Sequence, residues 1–129
     1  NQGRGMTGPN RAQTGETARR VRRRILERVL RYYPQWRAAY ETHGVETVAH
    51  LGNEYHVLDI LAGIDTLPPR QRQALTLTCL AGYTHEEAAA QMGLPGRTST
   101  IEQHKNAALD KLLALHEKAD RAEHRRRTP

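Results

Sequence analysis

The sequence contains no phenylalanine, one tryptophan, one cysteine and two methionines. Large side chains for a core are therefore scarce. Leu, Ile, Val and Ala must fill it, helped by five tyrosines and the single Trp36. Hydrophobic residues make up 37% of the 129 positions, enough for a compact core formed by about 70–80 residues, with polar ends left over. The lone Cys79 excludes an internal disulfide. It stands among apolar residues with no activating base pattern, so a buried thiol is expected rather than a nucleophile. No apolar run approaches the roughly 18 residues of a membrane span. The chain opens without the hydrophobic stretch of an export signal. These absences lead to the expectation of a cytoplasmic protein with no membrane attachment and with Met6 as its natural start.

Acidic residues are outnumbered, 14 against 20 Lys and Arg, a net charge of +6 with His neutral. The imbalance is uneven. Residues 1–40 hold ten arginines against Glu16 and Glu27, a net +8. Residues 41–96 hold Arg70 and Arg72 against seven acids, a net −5. Residues 97–129 return to +3, with eight basic and five acidic side chains. Basic ends favour a polyanionic partner through counterion release. Acidic lipid headgroups would satisfy the same field.

Enzyme chemistry finds no support. Walker loops, Gly-rich cofactor loops and Ser/His/Asp arrangements are missing. Of the seven histidines, His43, His50 and His56 are spaced by seven and six. That spacing does not gather three ligands on one helix face, and no Cys/His pair has a zinc spacing. The expectation is no enzyme, no metal and no cofactor.

What the sequence does contain is helical periodicity, and the fold class expected is all-α. Residues 1–15 are rich in Gly, Asn, Gln, Thr and Arg and read as a disordered tail. Residues 16–66 read as a helical segment. A basic helix comes first, with Val21, Ile25, Val29 and Tyr32 or Tyr33 in one stripe and Leu26 and Leu30 beside it. Pro34 breaks or kinks it, and Gly44 closes the piece carrying Trp36 and Tyr40. From Val45 to Ile64 a further stripe of Val48, Leu51, Tyr55, Leu58, Leu61 and Ile64 predicts helix, split at Gly52-Asn53 with Asn53 as N-cap.

Residues 67–115 carry three helical patterns separated by two turns. The first opens at Pro68-Pro69, where fixed φ suits a first helical turn, and ends at Gly82. Thr84 with Glu87 three positions on is a capping box opening the second, which ends at Gly93. The third starts near Thr98 or Ser99 and keeps a stripe of Ile101, Ala108, Leu112 and Leu115. A short capped helix, a glycine turn and a longer helix predict a helix-turn-helix. Ala89, four before Gly93, suits a close helix crossing, and Met92 and Leu94 flank the turn. Residues 116–129 read as a polar, basic tail that extends the last helix and then frays.

The stretch Leu67-Pro68-Pro69-Arg70-Gln71-Arg72-Gln73-Ala74-Leu75 resembles the opening of region 4 in extracytoplasmic-function sigma factors. Gly82-Tyr83-Thr84-His85-Glu86-Glu87-Ala88-Ala89 is similar to the next helix of that domain, and the run from Thr100 to Leu112 looks like the recognition helix of the housekeeping class of sigma factors. The resemblance implies a helix-turn-helix that reads promoter DNA and an apolar face that meets the RNA polymerase β flap. It implies contacts to double-stranded DNA from Arg70, Arg72 and Thr84. Arg97, Thr98, Ser99, Thr100, Glu102, Gln103, Lys105 and Asn106 would lie on or beside the major-groove face. Gln103 would pair with adenine, and Glu102 with cytosine N4. Glu102 and Ser99 stand where the housekeeping class has Arg and Glu, and the turn at residues 94–100 looks about two residues longer. A nonstandard target is therefore expected. Within these 129 residues nothing resembles region 2, so the expectation is a lone reader similar to the RinA/ArpU-type phage late-gene activators, as a monomer or homodimer. A small terminase-like packaging protein, working as a ring, and a module that binds polymerase without reading DNA are the other readings.

Overall fold

Arginine favours helix, and the long first element is rich in it. The computed structural model describes residues 11–127, with side chains described from Gly15 onward. Helix α1 spans Arg11–Arg31. It starts five residues ahead of the expected Glu16; the rest of the expected tail, residues 1–10, lies outside the described residues. Its buried line is Leu26, Val29 and Leu30, whereas Val21 and Tyr32 are exposed. The stripe is thus rotated toward Leu26 relative to the expected one. Pro34 ends the helix rather than bending it, and α2 (Tyr33–His43) starts with that proline in its first turn. The indole N–H of Trp36 donates to the Val29 carbonyl at 2.8 Å, satisfying a buried acceptor at the end of α1. Gly44, at φ +68°, caps α2 and donates to the Ala39 and Tyr40 carbonyls.

The expected short helix after Gly44 is instead a hairpin, β1 (Thr47–His50) paired antiparallel with β2 (Asn53–His56). The reason is local. Leu51 and Gly52 both take positive φ, +49° and +80°, which makes a tight two-residue turn whose twist suits the strands. Val48 lies opposite Tyr55 on the inner face, and Leu51, placed in a helical stripe by its spacing, is 69% exposed at the tip. Asn53 donates its side-chain amide to the Leu51 carbonyl instead of capping a helix. Helix α3 follows at Val57–Thr66.

Helix α4 (Pro69–Leu75) runs into a π-helical turn, Thr76–Leu80. Then come α5 (His85–Gln91) and the long α6 (Thr98–Arg127). At 30 residues α6 spans roughly 45 Å and is the axis on which α1, α3, α4 and α5 pack. Its buried line is Ile101, Lys105, Ala108, Leu109, Leu112 and Leu113. Leu115, expected in that line, is 42% exposed. Where α3 crosses α6, a Cβ on Gly63 would stand 2.8 Å from Leu112 Cδ2, so this close approach uses a glycine.

Among the described residues the apolar interior has two parts. The larger joins α1, α2, the hairpin, α3, the end of α4, the π-turn and α6, and it buries Leu30, Trp36, Val57, Leu75 and Leu109. Cys79 lies in it, and burial pushes its thiol up to about 11, so the buried-thiol expectation is met. The smaller part is Ala74, Ala88, Ala89, Met92 and Ile101, with Leu77 and Leu94 against it. This is the close crossing of α5 and α6 that the small alanine side chains permit. No described helix is long and apolar enough to cross a membrane.

Candidate nucleic-acid interface

The second core part decides which way α6 faces. Ala88 and Ala89 are fully buried, so at these positions α5 contributes only methyl side chains to its packing against Ile101 of α6. The turn between the helices carries two left-handed glycines, Gly93 at φ +74° and Gly96 at φ +79°. The Leu94 amide donates to the Ala89 carbonyl at 2.8 Å and the Arg97 amide to the Leu94 carbonyl at 3.0 Å. The Arg97 carbonyl then accepts the Ile101 amide, which opens α6. Six residues thus separate α5 from α6, most of them in hydrogen-bonded turns.

With Ile101, Ala108 and Leu109 turned inward, the opposite side of α6 meets solvent. Ser99, Glu102 and Gln103 are exposed and Asn106 is half-buried. Ser99, Gln103 and Asn106 stand at i, i+4 and i+7, one helix face. Thr98 and Thr100 are half-buried at its start, and Arg97 is exposed just before it. The face presents hydroxyl, amide and carboxylate groups, able to donate to and accept from base edges.

The other expected contacts have more specific settings. Arg72 is exposed on α4. Arg70 sends its guanidinium to the Met92 carbonyl at 3.1 Å, bracing α4 against the end of α5. Thr84 caps α5: its hydroxyl accepts the Glu87 amide at 3.1 Å, and its own amide donates to the Glu87 carboxylate at 2.9 Å. With Glu86 and Glu87 in the first turn, the amides of α5 already face anions.

Lys105 corrects the expected set. It is 8% exposed and does not point toward a groove. Its ammonium lies 3.4 Å from the Glu27 carboxylate on α1 and 3.1 Å from His85 Nε2 on α5. The sequence contained the signal: Lys105 follows Ile101 by four and precedes Leu112 by seven, which puts it on the buried stripe. Arg23 and Asp110, paired at 2.8 and 3.3 Å, form a second bond between α1 and α6. Sequence reasoning missed Arg23, Glu27, His85 and Asp110 as the residues that orient α6. For Arg23 the signal was again spacing, three before Leu26 and seven before Leu30.

Residues 58–112 match the family model described as Sigma-70, region 4. The match runs from α3 into α6 and leaves out α1, α2 and the hairpin. No curated protein and no solved structure matches the chain.

Proposed function

Taking residues 58–112 as a sigma-70 region 4 helix-turn-helix, a DNA-binding fold, we propose that this protein is a sequence-specific transcription regulator. The start of α6 enters the major groove, and Ser99, Glu102, Gln103 and Asn106 meet base edges. The observation that carries this reading is the two-sided character of α6. One side is locked by the alanine-lined crossing and the Lys105–Glu27 pair, while the other offers a run of polar side chains over Ser99–Asn106. Arg97 and Arg72 supply phosphate contacts at either end. No enzymatic step is part of this role.

Contact with RNA polymerase belongs to the same proposal. Leu115 (42% exposed) lines a shallow, largely apolar groove with Ala62, Gly63, Ala119 and Ala122. It lies away from the polar face of α6, so DNA and polymerase can be held together. Glu102 and Ser99 favour a target unlike a standard promoter element.

Selection of bound sequences from random DNA tests the reading. A defined motif is expected. On that motif Gln103→Ala should weaken binding by about 1–3 kcal/mol, with little change on unrelated duplexes. An equal weakening on every sequence would remove Gln103 from base reading.

A further inference from the structure

Helix α1 lies outside the matched residues, and the fold does not consume its charge. Arg23 and Glu27 face α6 and are held by Asp110 and Lys105. Going round α1 from these two, away from the core, the next positions are Arg20, Arg31 and Arg24, then Arg28, at about 100° per residue. All four are exposed. Among the described residues only Arg20 of these four has an acidic partner, Glu16 at 3.4 Å, with both side chains more than 60% exposed. A pair so exposed holds Arg20 weakly.

The placement of this stripe is fixed. Asp110 follows Gln103 by seven residues, so it lies on the same side of α6, two turns or roughly 10 Å further along. By gripping Asp110, Arg23 brings α1 to the edge of the proposed reading face. The Glu27–Lys105 contact, one turn along α1, sets the angle between the helices.

We propose that Arg20, Arg24, Arg28 and Arg31 bind the phosphate backbone of the same duplex that α6 reads. This rests on the assignment of α6 to the groove. Guanidinium groups match phosphate in shape as well as charge. Because α1 is locked to α6, the arginines meet the backbone at a set distance and angle from the reading helix. They therefore position the duplex as well as attracting it. An anionic membrane offers similar phosphates, but Leu26, Val29 and Leu30 are buried in the core. Among the described residues of α1 that leaves Val21 as the large apolar side chain exposed, too little to insert.

The test compares the full chain with an Arg24→Ala/Arg28→Ala/Arg31→Ala variant. Binding is measured by fluorescence anisotropy on the selected duplex and on a scrambled one, over a range of salt. Each arginine–phosphate pair adds about 0.9 to the steepness of log K against log salt. The variant is expected to bind both duplexes about tenfold or more weakly, with a slope shallower by 2–3 (about 0.9 per arginine) and an unchanged preference between them. These side chains are exposed, so its melting curve should match the parent's. If the triple variant unfolds, Arg24→Ala alone should still shift the slope by about one. Unchanged affinity and slope overturn the proposal. So does a variant impaired only in its binding to phosphatidylserine vesicles. If random-sequence selection yields no motif, groove reading fails, while the slope on scrambled DNA still decides whether the stripe holds phosphate.

Discussion

A buried lysine is costly unless its charge is met, and Lys105 is met twice, by Glu27 and His85. The ammonium has only protons to give, so the 3.1 Å contact with His85 uses Nε2 as an acceptor. Removing the lysine strands the Glu27 carboxylate, whose side chain is 28% exposed. Lys105→Ala should therefore lower stability by about 2–3 kcal/mol, less than breaking a fully buried pair would cost. Adding Glu27→Gln to it should recover part of that. Urea denaturation of the single and double variants measures both steps. A Lys105→Ala protein that unfolds like the parent but binds DNA weakly would return the residue to the groove. The position was legible as stripe from its spacing. Its chemistry was not, because charge suggests solvent until the partners on α1 and α5 are known.

At the scale of the element, α5 has seven residues, too few to be helical unaided. Its capping box and its two buried alanines hold it. Thr84→Ala removes the side-chain acceptor for the Glu87 amide and should cost about 1 kcal/mol, read as a lower unfolding midpoint. An unchanged midpoint would mean that packing alone fixes the helix. This element was readable residue by residue, since caps are local. The hairpin was not. Val48, Leu51, Tyr55 and Leu58 happen to fall at helical intervals, and the period-two pairing of Val48 with Tyr55 becomes visible only across the turn. What favoured the hairpin over helix was the backbone demand of Leu51-Gly52, for which the sequence offered a single glycine as notice.

At the scale of the molecule, the helix-turn-helix is not self-sufficient. Leu109, Leu112 and Leu113 of α6 share one core with Leu26, Leu30, Trp36, Tyr55, Val57 and Ile60, all before residue 67. A fragment of residues 67–127 would expose its share of that core to water. It is expected to show little cooperative melting, whereas the full chain should unfold in one transition by circular dichroism. A fragment that melts sharply would make residues 67–115 a separate folding unit. The all-α class, the region 4 resemblance and the solvent side of α6 could be read from periodicity and motif. The joining of α1 to α6 could not, because Arg23–Asp110 and Glu27–Lys105 link positions 87 and 78 residues apart.

The π-helical turn after α4 has a consequence for chain length. Such a turn is an α-helix that holds one extra residue, with amides reaching back five positions, as Ala81 does to Thr76 at 2.8 Å. Thr76 is exposed, and the surplus is absorbed within five residues while both flanks stay packed. A region 4 domain without this turn should align to the present chain with a one-residue gap there. Comparisons that force the two into continuous register would misassign every position between that point and the next compensating gap, and with them the residues said to read DNA.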